Sequence, residues 1–137
     1  MDGGFLILQM HLFCYIFMDI QEVCDTFYSL PFTYLCCLTS DICTRLGFYK
    51  ALHEHLKCNI LCFDYRGYGC SDPFRVTHEG IRRDSDAALA FATQLLKDQK
   101  GSQIFLYGHS MGGGIASYVA SSHPNEVYLF SIQNDVF

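Results

Sequence analysis

The stretch Ile104–Ala120, IFLYGHSMGGGIASYVA, decides how this chain is read. An apolar and aromatic run, Ile104 to Tyr107, leads into Ser110, and glycines stand around that serine at 108, 112, 113 and 114. A helical pattern follows. Gly108-His109-Ser110-Met111-Gly112 is a Gly-x-Ser-x-Gly sequence at a strand-to-helix junction, which places the serine on the tip of a sharp turn. Gly108 and Gly112 have no Cβ, so the strand and the helix can approach closely. Gly113 and Gly114 extend that small surface, at a helix-propensity cost of roughly 1 kcal/mol each. A residue on such a tip carries about 1–3 kcal/mol of backbone strain. These costs make sense if Ser110 must be exposed and aimed in advance. The Met111 amide, at a helix N-terminus, then points to the space above Ser110 where an oxyanion would develop. His109 fills the variable position of the turn and belongs to its backbone, not to a proton relay.

Other glycine motifs fail on their details. Gly108 and Gly113 have phosphate-loop spacing, but Gly114-Ile115 follows where Lys-Ser/Thr is required. Gly67-x-Gly69 begins like a dinucleotide fingerprint, yet Asp72-Pro73 stands where the third glycine and its helix belong. No cofactor and no metal site is therefore expected.

Outward from the serine, strand and helix signals alternate. FTYLCCL, from Phe32, reads as a buried strand at 33–38. TRLGFYKALHEHL sets Leu46, Tyr49, Leu52 and Leu56 at helical spacing. NILCFD gives a strand at 59–64, and the segment from Tyr65 to Glu79 a loop by its Gly, Pro, Asp and Ser content. Thr77 can cap a helix that carries Ile81, Ala88, Ala92 and Leu95 on one side. A third strand spans 103–108, a helix runs from Met111 to Ser122 and stops before Pro124, and a fourth strand spans 127–132. This alternation builds a parallel sheet with helices on both faces, an α/β architecture. Ligands of such sheets gather at the carboxyl ends of the strands, where both glycine-rich stretches fall.

The totals bound the rest. The chain has 137 residues, half of them apolar, enough for one domain with a core. A net charge of −5 gives no reason to expect nucleic acid as a partner. The eight cysteines form no CxxC pair and read as reduced thiols of an intracellular protein, with a cytoplasmic location favoured. The N-terminal run GGFLILQMHLFCYIFM, residues 3–18, is short for a membrane helix and contains Gln9 and His11. It reads first as a buried segment and second as a membrane-associating one. Residues 1–32 are set apart as a segment of uncertain structure, and residues 33–137 as the α/β domain.

Over roughly residues 44–130 the chain resembles the α/β-hydrolase superfamily. NILCFDYRGYGCSD is similar to that family's fourth strand and following loop. THEGIRRDSDAAL is similar to the start of its next helix, with Asp84 at the position of the motif's aspartate. IFLYGHSMGGGIASYVA resembles its fifth strand, nucleophile elbow and helix. The DYRGYG wording is closest to the abhydrolase-domain serine hydrolases and the serine-aminopeptidase-like group, whose relatives include monoacylglycerol lipases, acyl-protein thioesterases and prolyl aminopeptidases. The resemblance implies Ser110 as a nucleophile that forms an acyl-enzyme with a small acyl substrate.

The pattern covers only the family's N-terminal half, as if cut after its sixth strand. Where the family has a His-Gly loop after its third strand, this chain reads Cys36-Cys37-Leu38-Thr39-Ser40, so the second oxyanion amide would come from Cys37 or Leu38. The family's order of serine, acid and histidine finds no match. After Ser110 come His123, Glu126 and Asp135, in the wrong order. His123 reads as a helix-terminal residue and Asp135 as a solvated one. Arg66 and Asp64 read as residues that fix their loop. The expectation is a serine hydrolase that is weak or inactive as this chain, or a non-catalytic interaction module. A sheet ending at its sixth strand also offers an open edge for pairing.

Overall fold

The computed structural model describes residues 5–10, 13–18, 32–37, 42–56, 59–69, 71–98 and 101–133. Among the described residues six strands form one sheet: β1 Phe5–Met10, β2 Phe13–Met18, β3 Phe32–Cys37, β4 Asn59–Phe63, β5 Gln103–His109 and β6 Val127–Gln133. Their order is β1-β2-β4-β3-β5-β6. β4, β3, β5 and β6 are mutually parallel, as short apolar strands separated by helices require. Three helices connect them: α1 Leu46–Leu56, entered through a 3-10 turn at Ile42–Arg45, α2 His78–Leu96 and α3 Met111–Ser122.

The four strands read from sequence are present, each within one residue of its expected bounds. β1 and β2, both before residue 33, join this sheet as an antiparallel pair, and β2 runs antiparallel against β4. Sequence did not show the two strands, because only His11 and Leu12 separate them, with none of the Asn, Gly or Asp that marks a tight hairpin. Among the described residues no helix is long and apolar enough to cross a membrane.

Each face of the sheet has its own cover. Leu61 and Phe63 of β4 and Ile104 and Leu106 of β5 pack with Ile81, Ala88, Leu89 and Ala92 of α2 and with Ile115, Ala116 and Val119 of α3. Neighbouring strand residues point to opposite faces. Tyr107 accordingly meets Phe48 of α1, ring centroids 5.6 Å apart, on the other side. Tyr49 of α1 is buried there with Ile60 and Cys62. The α1 periodicity holds only in part, because Leu56 is 44% exposed at the helix end. Thr77 caps α2 as anticipated, its Oγ1 accepting the Gly80 N–H at 3.0 Å.

The register decides where the loops meet. Cys37 lies opposite Phe63 on one side and Gly108 on the other. The carboxyl ends of β3, β4 and β5 are therefore level, and the chain leaves all three at one edge.

Candidate active site

Ser110 sits between β5 and α3 with φ 55° and ψ −120°. Among the described residues it alone is a non-glycine with positive φ. An L-residue holds that conformation at a cost of about 1–3 kcal/mol, so the surroundings must enforce it. Two contacts do so. The Ser110 carbonyl accepts the Gly113 N–H at 2.9 Å, which starts the helix directly after the tip. Gly108 lies against the first turn of α3: a Cβ there would stand 2.5 Å from the Gly112 carbonyl carbon and 2.7 Å from the Gly113 Cα. The strand and helix can close to this distance only without a side chain at 108. Ser110 is exposed, and its hydroxyl does not cap the helix it precedes.

Gly114 differs from this description of the glycines. It is exposed, and a Cβ there meets nothing within 4 Å. Small size is needed at 108, not at 114. Gly114→Ala is expected to raise unfolding free energy by about 1 kcal/mol through helix propensity. Gly108→Ala is expected to lower it by about 1–3 kcal/mol through overpacking. Urea melts of the two variants read both signs, and a stabilising Gly108→Ala is the result that contradicts the close approach.

The residues expected around the serine divide into those the fold gathers and those it does not. Met111 opens α3, so its amide stands at the helix N-terminus, and the residue is 37% exposed. His109 is buried in the last position of β5, opposite Gln133 of β6. Cys37 ends β3 beside Gly108, which brings the backbone there to the edge that carries Ser110. Leu38 and Asp135 lie outside the described residues. His123 is the C-cap of α3, twelve helical residues from Ser110, or roughly 18 Å at 1.5 Å per residue.

There His123 belongs to a polar cluster between α2 and α3. Its Nε2 stands 3.1 Å from Asp86 Oδ1 and its Nδ1 3.3 Å from Glu126 Oε1. The Tyr118 hydroxyl donates to Asp86 Oδ2 at 3.0 Å, and the Arg82 guanidinium lies 4.7 Å over the Tyr118 ring. Sequence spacing did not show this cluster, because Asp86 is 37 residues from His123. The Asp86 carboxylate that accepts the Tyr118 proton pushes that phenol above its ordinary value of 10.0. A raised phenol favours the folded chain fully below pH 10, and that contribution disappears as pH rises through the folded value. Alkaline titration followed by phenolate absorbance, with Tyr118→Phe as the difference reference, is expected to show this tyrosine ionising late. In Asp86→Asn it should return toward its ordinary value.

Arg66 and Asp64, read from sequence as fixing the loop after β4, both have partners, and that of Arg66 is Asp84 of α2. Arg66 Nε donates to both oxygens of Asp84, at 3.0 and 2.9 Å, and Arg66 Nη2 adds a bond of 2.6 Å to Oδ1. The Arg66 main-chain N–H reaches Oδ2 at 3.0 Å. Asp84 is 1% exposed on α2, and hydrogen bonding to it raises the Arg66 guanidinium further above its ordinary value. Asp64, 3% exposed, accepts the Ile42 N–H on Oδ1 at 3.0 Å.

A sheet whose parallel strands deliver an exposed, left-handed serine into a helix N-terminus, with glycine at the crossing, defines the α/β hydrolases as the class. Residues 35–131 match the family described as serine aminopeptidase, S33, and the chain belongs to that family. Its relatives include the α/β hydrolase domain-containing protein WAV2 of Arabidopsis thaliana, 31% identical over 69% of this chain and 30% of that protein. Another is aho-3 of Caenorhabditis elegans, an α/β hydrolase domain-containing protein 36% identical over 53% of this chain and 21% of that protein. The match thus spans less than a third of these relatives' length. Among solved structures, a soluble variant of monoglyceride lipase from Saccharomyces cerevisiae superposes with a TM-score of 0.72 at 21% identity, over 96% of this chain and 44% of that one. A serine hydrolase without a lid from Xanthomonas campestris gives 0.65 at 16% identity, over 89% of this chain and 58% of that one. At such identities the structures establish the fold alone.

Proposed function

We propose that Ser110 is the nucleophile of an acyl hydrolase acting on esters, thioesters or amides of small acyl groups. One observation carries this reading: Ser110 is an exposed, strained, positive-φ residue that the Gly108 crossing holds in place. In the proposed step Ser110 Oγ adds to the acyl carbonyl carbon and gives up its proton to a base. The carbonyl electron pair moves onto oxygen. The Met111 N–H and a backbone amide at the end of β3, at Cys37, receive that charge. Collapse of the adduct expels the alcohol, thiol or amine, and water then frees the acyl group.

The base and its orienting carboxylate are not assigned to a described residue. The chain by itself is therefore proposed to turn over very slowly. Oxyanion donors and binding alone still leave reactivity about 10³–10⁴-fold above water. The distance of His123 from Ser110, and its engagement with Asp86 and Glu126, favours a second reading: a non-catalytic module that keeps the same sheet. A fluorophosphonate probe with mass mapping separates the two. A label on the Ser110 peptide, absent in Ser110→Ala, supports the first. No label on a chain that melts cooperatively supports the second.

A further inference from the structure

We propose that His123 is a proton-operated latch between the end of α3 and α2: the charged ring ties Asp86 and Glu126 together, and the neutral ring lets one of them go. The inference does not depend on the chemistry of Ser110.

The ring has a carboxylate at each nitrogen. Nε2 stands 3.1 Å from Oδ1 of Asp86, on α2, and Nδ1 stands 3.3 Å from Oε1 of Glu126, in the turn before β6. An ionised carboxylate only accepts, so both bonds need an N–H on the ring. The imidazolium has two. The neutral ring has one, and its other nitrogen turns a lone pair toward a carboxylate. Both contacts together therefore suit the charged ring and not the neutral one.

The remaining groups belong to the same three elements. From α2, Thr93 Oγ1 donates to Glu126 Oε2 at 3.1 Å, and the Arg82 guanidinium lies over the Tyr118 ring. From α3, the Tyr118 hydroxyl donates to Asp86 Oδ2 at 3.0 Å. The β6 segment VYLFSIQ brings no charged residue. Two carboxylates thus share one imidazole, and the proton on it is what joins them.

The carboxylates have somewhere to go. Their side chains are 37% and 41% exposed, so either can turn to water when the ring loses its proton. Asp86 stands nearer and is held by Tyr118 as well, so the neutral ring keeps its hydrogen on Nε2. Glu126 is the arm that opens. It also carries the Thr93 bond, so the turn into β6 loses its side-chain tie to α2. The main-chain bonds of that turn, from the Glu126 and Val127 N–H groups to the His123 carbonyl, do not involve the ring and stay. The latch loosens a joint between elements and leaves the helix end intact.

A tie that needs the ring proton adds stability at the acid end and loses it as pH rises. Urea unfolding of the full chain at pH 6.0 and 8.5 reads this, each variant being compared with wild type at the same pH so that the other histidines cancel. His123→Gln is expected to lower the folding constant roughly 2–5-fold more at pH 6.0 than at pH 8.5, the range for exposed ion pairs. Glu126→Gln offers an amide N–H to the neutral ring and takes a charged acceptor from the protonated one. It should weaken the fold at pH 6.0 and leave it level or firmer at pH 8.5. A merely structural contact would give the same loss at both. Nitrogen-15 spectra of the wild-type imidazole need no destabilised variant: two protonated nitrogens are expected at pH 6.0, and a proton on Nε2 alone at pH 8.5. Losses independent of pH in both variants overturn the latch, as does a His123 ring whose nitrogen signals do not change between the two pH values.

Discussion

Exchanging Ser110 for glycine is expected to abolish phosphonylation and, at the same time, to stabilise the fold. The chemistry half is direct, because no oxygen remains to attack. The stability half follows from φ 55° and ψ −120°, which a residue with a Cβ holds under strain. Relief of about 1–3 kcal/mol is partly offset by the greater freedom of glycine in the unfolded chain, about 0.5–1 kcal/mol. The net gain is about 1 kcal/mol, a rise in Tm of roughly 3–5 °C for a domain of this size. Ser110→Ala keeps the Cβ and the strain, so it should lose the label without the gain. Thermal and urea melts of both variants isolate the backbone term. Equal stability of Ala and Gly at this position would mean that the turn stores no strain at its tip.

The same turn explains why the fold was legible from a short stretch. Gly108, Ser110, Gly112 and Gly113 lie within six residues, and the physical demand on each is local: a missing Cβ, a left-handed backbone, a helix start. Local demands leave local signatures. The Thr77 cap is of the same kind, its bond spanning three residues. The β1–β2 hairpin was not legible because its connection carries no turn chemistry and its strands read as one apolar run. Leu56 misled for a related reason. Helical spacing places a residue on a face, but cannot say that the face ends before the helix does.

Long-range pairings were half legible. Asp64 and Arg66 read as loop-fixing residues because a charge at a strand end, among glycines, needs a partner. Which backbone amide Asp64 would take, 22 residues upstream, is written nowhere near it. The fate of His123 was readable from order alone, since a helix separates it from the serine. Its partners Asp86 and Glu126 come from the packing of α2 on α3 and from the turn after α3, and only the fold brings them together. The candidate site therefore divides along the same line. The tip serine and the helix start after it are set by local demands and were legible. The bond from the Ile42 N–H to Asp64 is tertiary and needed the structure.

Asp84→Ala should be the most destabilising single change at this edge of the sheet. The carboxylate is 1% exposed and accepts four hydrogen bonds from Arg66, one from the main chain and three from the guanidinium. Removing one partner of a buried pair leaves the other charge uncompensated, at about 3–5 kcal/mol. The Arg66 side chain is 25% exposed, so water recovers part of its solvation and the expected loss is nearer 3 kcal/mol. Arg66→Lys keeps the charge but not the fork, and should lose about 1–2 kcal/mol. Truncating both partners should cost less than the sum of the single changes, since the orphaned guanidinium is then gone. Urea melts of the three variants and the double mutant complete the cycle. Because the clamp holds the β4 loop to α2 and not to α3, a folded Arg66→Lys chain should still take the Ser110 label. Loss of the label with the fold intact would place Arg66 in the chemistry rather than in the scaffold.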